Sequence, residues 1–500
     1  MAMYRVACPG CGAPVEFRSA ASRMAVCGYC RTTLLRDADA VRDIGKQAAL
    51  IDDHSPVQIM TAGQYAGQGF TVVGRIQLRY EHGVWNEWHL LFDDGSAGWL
   101  GDFAGQFVIT RPDGQAIGPP LFDKVEPGNR WSHGGIFWCA ADIRTAECVA
   151  AEGELPFPVD ARWIARVVDY RHRDEFLTLD YSDLPPAVFR GRAVTLAALR
   201  AQRLREGDDV AARASRLQGG VSTLLCPACG APAAVVPGVT QHLSCPSCSS
   251  QILLAASQAE VIRRQTADDR AVGATLQAGE TLTIDGIAWR VMGWLRCGVP
   301  HVASEPEWYE YLLFAPQKGF LWLIEAREGW QRAEVLDVWP ESFSGSAARL
   351  NGVSYVRRHL YTAEVRQVVG AFPWRARTGE RTEIGEYVKG DRVLNLERGP
   401  HELGWSLACP VDPDTVAGWA GRKLASIVRT GDALDDGVQA LAGAGDKAAL
   451  RPIAWVFSVL MVVMNMRFML PFNVDAMFVT GVMVFLLWIP VRSAGDEAAD

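Results

Sequence analysis

The feature that most constrains the fold of this chain is a long internal repeat. The segment CPGCGAPVEF at Cys8 returns as CPACGAPAAV at Cys226, and both copies carry a second C-x-x-C pair after fifteen intervening residues. The similarity continues far beyond the cysteines, since WNEWHLL from Trp85 matches WYEYLLF from Trp308 and DYRHRDEFLTLD matches EYVKGDRVLNLE. A unit of roughly 200 residues is therefore duplicated, at about 1–200 and 219–427, and a repeat of this length sets the architecture before any local motif does.

Length and composition indicate a folded protein of two to four domains. The 500 residues are 49% hydrophobic and 21% charged, which excludes an intrinsically disordered chain. The net charge of −8 disfavours electrostatic binding of nucleic acid over a broad surface. The first residues, MAMYRVACPG, lack the apolar run of a secretory signal.

The cysteines predict two metal sites. Eight of the twelve cysteines form four C-x-x-C pairs, the pattern of zinc ribbons in a reducing compartment. Each tight turn aims two thiolates at one ion, so two turns complete a tetrahedral Zn²⁺ site with no open position for a substrate. A structural or docking role is expected, with [4Fe–4S] or rubredoxin-type iron as the alternative. The predicted ligands are Cys8, Cys11, Cys27 and Cys30 in the first copy and Cys226, Cys229, Cys245 and Cys248 in the second.

The remainder of each unit predicts a mainly β fold. Short runs rich in Val, Ile, Trp, Tyr and Phe, such as TVVGRIQLRY, WNEWHLLF and GWLGDF, alternate with Gly-Asp turns and indicate successive antiparallel strands that form a β-rich roll or small barrel. The polar segments after each ribbon, RDADAVRDIGKQAALIDD and ASQAEVIRRQTADDRAV, are interpreted as helices or mobile linkers. The predicted domains are zinc ribbon 1 (1–35), β-rich module 1 (55–198), a linker (199–220), zinc ribbon 2 (221–256), β-rich module 2 (272–427), a spacer (428–451) and a transmembrane hairpin (452–491).

The last of these domains depends on two uncharged runs in the tail. PIAWVFSVLMVVMNM and AMFVTGVMVFLLWIPV are separated by RFMLPFNVD, which predicts two membrane-crossing helices joined by a turn. Lys447, Arg451 and Arg492 flank the pair, so both ends are expected in the cytoplasm. The expected location is the inner (cytoplasmic) membrane, with the bulk of the chain in the cytoplasm; a buried helical hairpin in a soluble core is the alternative.

Aromatic and acidic residues recur at fixed spacing and form a second candidate site. In both units a glutamate lies two residues after a tryptophan. A second tryptophan lies twelve residues after that glutamate. The structural interpretation places the tryptophans in the core and the glutamates in solvent, and it is favoured over a surface that grips a cationic ligand such as an amine. The segment LNLERGPHELGWS holds two acids and ends on a Trp-Ser pair, whereas its counterpart in the first unit, LTLDYSDLPPAVF, has Asp180 but no Trp-Ser. The candidate ligand or partner residues are Trp85, Glu87, Trp99, Trp308, Glu310, Trp322, Glu397, Glu402 and Trp405.

The strand segments resemble a bacterial family of domains of unknown function. The resemblance rests on IDGIAWRVMGWL, EWYEYLLF, GFLWLIE, VGAFPWRARTGE, EYVKGDRVLNLE and HELGWSLACPV over most of Thr281–Val411, and more weakly on GFTVVGRI, WNEWHLLF and GWL of the first unit. The resemblance implies zinc ribbons in front, transmembrane segments behind, and neighbouring genes for membrane-stress proteins and polyamine-synthesis enzymes. It implies no particular reaction.

Three functional hypotheses follow. The main one is a membrane-anchored cytoplasmic adaptor that recruits protein partners to the inner membrane, as in a membrane-stress-type assembly, because no known catalytic motif is found in the sequence. The second is a module that binds, or acts on, a small polyamine-like cation. The third is a zinc-ribbon nucleic-acid binder, disfavoured because the second ribbon, APAAVVPGVTQHLSCPSCSSQILLAAS, has no Lys or Arg.

Overall fold

In a computed structural model, the two repeats fold into two similar antiparallel β-barrels, which confirms the mainly β, duplicated fold expected from the sequence. The order of the strands around the barrel is the same in both copies, while the large sheet has 13 strands in the first copy and 14 in the second. The structure describes residues 4–19, 21–37, 40–46, 50, 55–103, 105–159, 163–205, 223–235, 240, 242–255, 258–263, 274–300, 307–315 and 318–424.

The described part of the first repeat is built from short ribbon strands followed by long barrel strands. Its strands are β1 (Tyr4–Ala7), β2 (Pro14–Phe17), β3 (Met24–Val26), β4 (Thr32–Asp37), β5 (Ala40–Lys46), β6 (Ala62–Tyr65), β7 (Gln68–Tyr80), β8 (Gly83–Phe92), β9 (Ala97–Phe103), β10 (Gln106–Gln115), β11 (Arg130–His133), β12 (Ile136–Leu155), β13 (Ile164–His172), β14 (Glu175–Asp180) and β15 (Ala187–Val194), with a 3₁₀ turn at Phe122–Lys124.

The second repeat follows the same plan and ends in a short helix, α1 (Pro413–Ala420). The Asp412 carboxylate accepts a hydrogen bond from the Asp414 N–H at 2.8 Å and so caps the first turn of that helix. The strands are β16 (Thr223–Leu225), β17 (Pro232–Ala234), β18 (His242–Ser244), β19 (Gln251–Ala255), β20 (Gln258–Arg263), β21 (Thr281–Ile284), β22 (Ile287–Gly298), β23 (Trp308–Ala315), β24 (Gly319–Ala326), β25 (Gly329–Val335), β26 (Ser342–Phe343), β27 (Ala347–Leu350), β28 (Val353–Phe372), β29 (Arg381–Lys389), β30 (Arg392–Arg398) and β31 (Leu403–Val411).

Each barrel closes through one long strand. In the first, the order β12-β13-β14-β15-β10-β9-β8-β7 returns to its start because β7 also pairs with β12. In the second, β28-β29-β30-β31-β25-β24-β23-β22 closes in the same way. A closed barrel of eight strands has an interior that side chains fill or that holds one small ligand.

A pair of facing glycines lies at each closing seam. Gly74 faces Gly153 in the first barrel, and Gly293 faces Gly370 in the second. A Cβ on Gly74 would lie 1.9 Å from the Glu154 carbonyl oxygen, so the strands approach too closely for a side chain. Gly153 and Gly370 also have φ values of +70° and +97°, which other residues adopt only with strain.

The cysteine ribbons are joined to the barrels by backbone pairing. Strand β3 of the first ribbon pairs with the end of β12, and β18 of the second pairs with the end of β28. The polar segments after the ribbons were expected as helices or linkers, and this expectation is wrong for 40–46 and 258–263. Those residues form β5 and β20, which pair with β4 and β19. The backbone pairing to an existing sheet edge outweighs the low intrinsic strand propensity of these polar residues.

The two repeats pack against each other. The Ile143 N–H donates to the His401 carbonyl oxygen at 2.9 Å, and the Trp339 N–H donates to the Arg173 carbonyl oxygen at 2.9 Å. Cys139 of the first barrel lies in a buried cluster formed mostly by the second. The first barrel is therefore closed at one side by residues from the second.

The predicted spacer (428–451) and transmembrane hairpin (452–491) lie outside the described residues, as does most of the predicted linker (199–220). Within the part of the chain that the structure describes, no helix has the length and apolar character needed to cross a membrane.

The glycine seam gives a stability prediction. Replacing Gly293 by Ala places a Cβ 2.6 Å from the Val369 carbonyl oxygen, which forces the closing strands apart. We expect G293A to lower the free energy of unfolding by about 1–3 kcal/mol, as overpacking does in cores. Gly345→Ala is the matched control, because its nearest neighbour would be an arginine nitrogen at 3.8 Å. Equal denaturant midpoints for the two variants would contradict this account of closure.

Candidate functional site

Both cysteine groups have the geometry of a four-ligand metal site. In each group the four sulfur atoms lie within 4.8 Å of one another. Sγ–Sγ distances are 3.6 Å for Cys8–Cys30 and 3.7 Å for Cys11–Cys27, and the second group repeats them at 3.7 and 3.8 Å. A tetrahedron with metal–sulfur bonds of about 2.3 Å has edges of about 3.8 Å, so both groups could hold one metal ion each.

The chain around the sulfurs fixes their positions. A hydroxyl follows each fourth cysteine by two residues: Thr32 Oγ1 lies 3.1 Å from Cys30 Sγ, and Ser250 Oγ lies 3.3 Å from Cys248 Sγ. Because the strands that flank the second knuckle extend the barrel sheet, each metal group is rigidly attached to its barrel. The arrangement suits a structural ion, since protein sulfur occupies all four positions.

A cavity of about 410 Å³ occupies the first barrel and extends to its junction with the second. One part of its wall is apolar: Trp85 and Trp99 pack with Ile76 and Leu78. Its mouth is bordered by Val335, which is 53% exposed. The cavity therefore has an aromatic interior and an opening to solvent beside the second module.

The repeated Trp-Glu pair faces this interior. The Trp85 indole N–H donates to the Glu87 carboxylate at 3.0 Å, and both side chains border the cavity. Enclosure by protein raises the pKa of Glu87 to about 8, and the carboxylates of Asp169, Asp102 and Asp180 add to this shift. The structural interpretation of the sequence put this glutamate in solvent; instead it lies inside the barrel, where the pleat directs alternate residues inward.

The second copy keeps the same pair but not the same surroundings. The Trp308 indole N–H donates to Glu310 at 2.7 Å, and burial raises the pKa of Glu310. Trp322 packs with the second barrel's own core, and neither it nor that Trp-Glu pair borders the 410 Å³ cavity. The duplicated motif therefore forms two separate sites.

The segment LNLERGPHELGWS of the second module contributes residues to the cavity of the first barrel. Glu397, Glu402 and Trp405 border the same cavity as Trp85, Glu87 and Trp99. The Ser406 hydroxyl donates to Glu397 at 2.9 Å; surrounding protein raises the pKa of Glu397 to about 7, and Glu310 adds to the shift. Trp405 is buried in the core of the second module, against Phe343 and Tyr387.

An ion-pair network in the cavity wall joins the first module to the second. Arg144 Nε lies 2.6 Å from Asp142, and its Nη2 donates at 2.9 Å to Glu402 of the second module. The same guanidinium lies over the Tyr80 ring, 4.2 Å from its centroid. The neighbouring carboxylates raise the pKa of Arg144 despite its burial, so this arginine stays charged and ties the two modules together.

Sequence reasoning missed several polar residues in the wall of the cavity. Asp169 accepts a hydrogen bond from the Thr178 hydroxyl at 2.6 Å, and enclosure raises the pKa of Asp169 to about 6. A signal was present in the strands, because polar side chains recur every second residue in otherwise apolar runs, which indicates a polar inner face. The missed residues that border the cavity are Asp102, Asp142, Arg144, Asp169, Arg171, Thr178 and Asp180.

The metal groups give a direct prediction. The purified protein should contain two metal ions per chain, one for each cysteine group. Cys229→Ser removes one ligand and should lower the content to one ion, since a hydroxyl is a poor replacement for a thiolate. Cys409→Ser is the control, because this cysteine belongs to neither group. Elemental analysis by mass spectrometry measures the content, and two ions retained in C229S would contradict the ligand assignment.

The chain was compared with family profiles, curated proteins and solved structures. The profile described as "Domain of unknown function (DUF4178)" matches residues 58–196 and again 277–413, which together exceed half of the chain. No curated protein and no solved structure matches. The two matched segments contain nearly all the barrel strands of the two repeats, and the chain belongs to the DUF4178 family, whose domain it carries in two copies.

Proposed function

We propose that the first barrel, completed by the second module, binds a small organic cation with an amine group. The observation that carries this proposal is the excess of carboxyl groups in an aromatic cavity. Seven acidic residues border the cavity against two arginines. The acidic residues are Glu87, Asp102, Asp142, Asp169, Asp180, Glu397 and Glu402.

The aromatic walls favour an organic cation over a bare ion. Indole and phenyl faces attract alkylammonium groups and also cover their carbon chains. A volume of about 410 Å³ lies in the range of small-molecule sites. The aromatic residues that border the cavity are Tyr80, Trp85, Trp99, Phe103, Phe157, Trp163, Phe176, Phe189, Trp339 and Trp405.

The spacing of the acids argues against a metal ion in this cavity. Among the described residues, only the two cysteine groups bring three or more candidate ligand atoms within 4.8 Å of one another. The carboxyl groups are therefore spread around the wall, which fits a longer molecule whose charges lie apart. The pKa values of Glu87, Asp142, Asp169 and Glu397 are raised by burial, which fits as well, because an entering ammonium group lowers the pKa of each carboxyl it meets.

We propose further that the ion in both cysteine groups is Zn²⁺. Four sulfur ligands in a closed tetrahedral set are typical of structural zinc, and iron is the alternative for the same ligands. Its role here is to hold each ribbon hairpin against the end of β12 or β28.

Membrane tethering, with the barrels in the cytoplasm and protein partners at the inner membrane, stands as a separate proposal. It rests on the two uncharged runs of the tail, in 452–491. We expect a chain truncated after 450 to stay in the supernatant when lysed cells are centrifuged at high speed, whereas the full chain sediments with membranes. Sedimentation of both forms with membranes would contradict the anchor.

Cation binding is tested by calorimetry on the full-length protein in mild detergent. We expect 1,5-diaminopentane to bind and its uncharged counterpart 1,5-pentanediol not to bind. Because the carboxylate form binds the ammonium, affinity should rise as pH rises through about 8, the pKa of Glu87. Glu87→Gln should weaken binding about tenfold or more and remove this pH dependence, since a neutral amide cannot pair with a cation.

Glu328→Gln is the matched control, because this exposed glutamate lies in the turn between β24 and β25, away from the cavity. Binding of the diol as strongly as the diamine, or equal diamine binding by wild type and E87Q, would contradict the proposal.

A further inference from the structure

Arg171 is a half-buried cation in the wall of the cavity. It lies on β13, two residues after Asp169, and both side chains border the cavity. Among the described residues, no carboxylate lies within ion-pairing distance of its guanidinium; its one hydrogen bond is a long one, 3.4 Å, to the Asp337 carbonyl oxygen. Two aromatic rings support it, Phe176 at 4.6 Å and Trp339 at 5.8 Å from the guanidinium carbon. Burial lowers the pKa of Arg171, and the carboxylates of Asp169, Asp337 and Asp142 offset part of this shift without forming a direct ion pair.

The second arginine of the cavity is different. Arg144 has two carboxylates, Asp142 and Glu402, within 2.9 Å and is already satisfied. Arg171 therefore remains as the cavity cation able to receive an anionic group from a ligand. Its planar, forked donors suit a carboxylate, which they can bind with two parallel hydrogen bonds.

The barrel itself does not need this arginine. In the second repeat, DYRH of β13 is replaced by EYVK of β29, so Val388 occupies the position of Arg171. A buried guanidinium is costly where a valine serves the fold equally well, which favours a role in recognition over one in folding.

We infer that the ligand of the first barrel is a zwitterion, an amine that also bears a carboxylate, and that Arg171 receives the carboxylate. This inference rests on the proposed function. The seven acids around the cavity would repel a phosphate dianion, whereas the charge of a single carboxylate is offset by the ammonium group of the same molecule. Side chains two residues apart on a strand are separated by about 7 Å, so a molecule that spans Arg171 and Asp169 needs several bonds between its two charges. An ω-amino or basic amino acid meets that requirement.

The test compares two probes that share a carbon skeleton. Lysine is 1,5-diaminopentane with a carboxylate added, so the ratio of their affinities for the full-length protein isolates the carboxylate contact. We expect wild type to bind lysine at least about tenfold more tightly than the diamine, the usual scale for a charge-assisted pair. In Arg171→Gln, lysine should lose this advantage and the diamine should bind as well as before or better, because a repelling cation has gone.

Diamine binding by R171Q shows that the variant is folded, so the loss for lysine is not a folding defect. Arg166→Gln is the control: this arginine lies on the same strand, pairs with Asp123 at 2.7 Å on the outer surface and should leave both affinities unchanged. If wild type binds lysine no better than the diamine, or R171Q keeps the preference, the inference fails while cation binding stands. If neither compound binds wild type, the proposed function fails as well.

Discussion

The architecture depends on the close approach of two strands at the seam of each barrel. Facing glycines let β7 meet β12, and β22 meet β28, at a separation that no side chain would permit. The same strand ends pair with the ribbon strands β3 and β18, so barrel closure and attachment of the metal groups occur at one place. A bound metal ion would therefore stabilise a hairpin that pairs with the closing strand of the barrel.

Duplication produced two similar folds with different interiors. Both copies keep an indole N–H that donates to an inward glutamate. Their neighbours differ: where the first barrel has Arg144 paired with Asp142, the second has Tyr361, whose hydroxyl donates to Glu386 at 2.8 Å. The first cavity also takes part of its wall from the second module, through Glu397 and Glu402. The two modules thus share one cavity, which we propose to be a single binding site.

The sequence allowed the duplication, the two cysteine groups and the barrel strands to be predicted, because each is a local or periodic pattern. It also showed the spacing of the Trp-Glu pairs, but the favoured interpretation placed their glutamates in solvent. It could not show that Glu397 and Glu402 border a cavity in the other repeat, since that depends on how two barrels pack. It also misassigned the polar segments that form β5 and β20, because pairing to a sheet edge outweighed composition. Arg171 was missed for a related reason. Its lack of a direct ion pair can be recognised only when the strands are placed in space.

The central claim, one ligand site shared unequally by the two repeats, is most directly tested by hydrogen–deuterium exchange of the full-length protein with and without lysine. We expect slower exchange in β8, β9 and β13 of the first barrel together with 397–405 of the second module, the segments that border the cavity. Strands β23 and β24, which carry the second Trp-Glu pair, should be unchanged. Equal protection of both barrels, or protection confined to one module, would contradict the shared site.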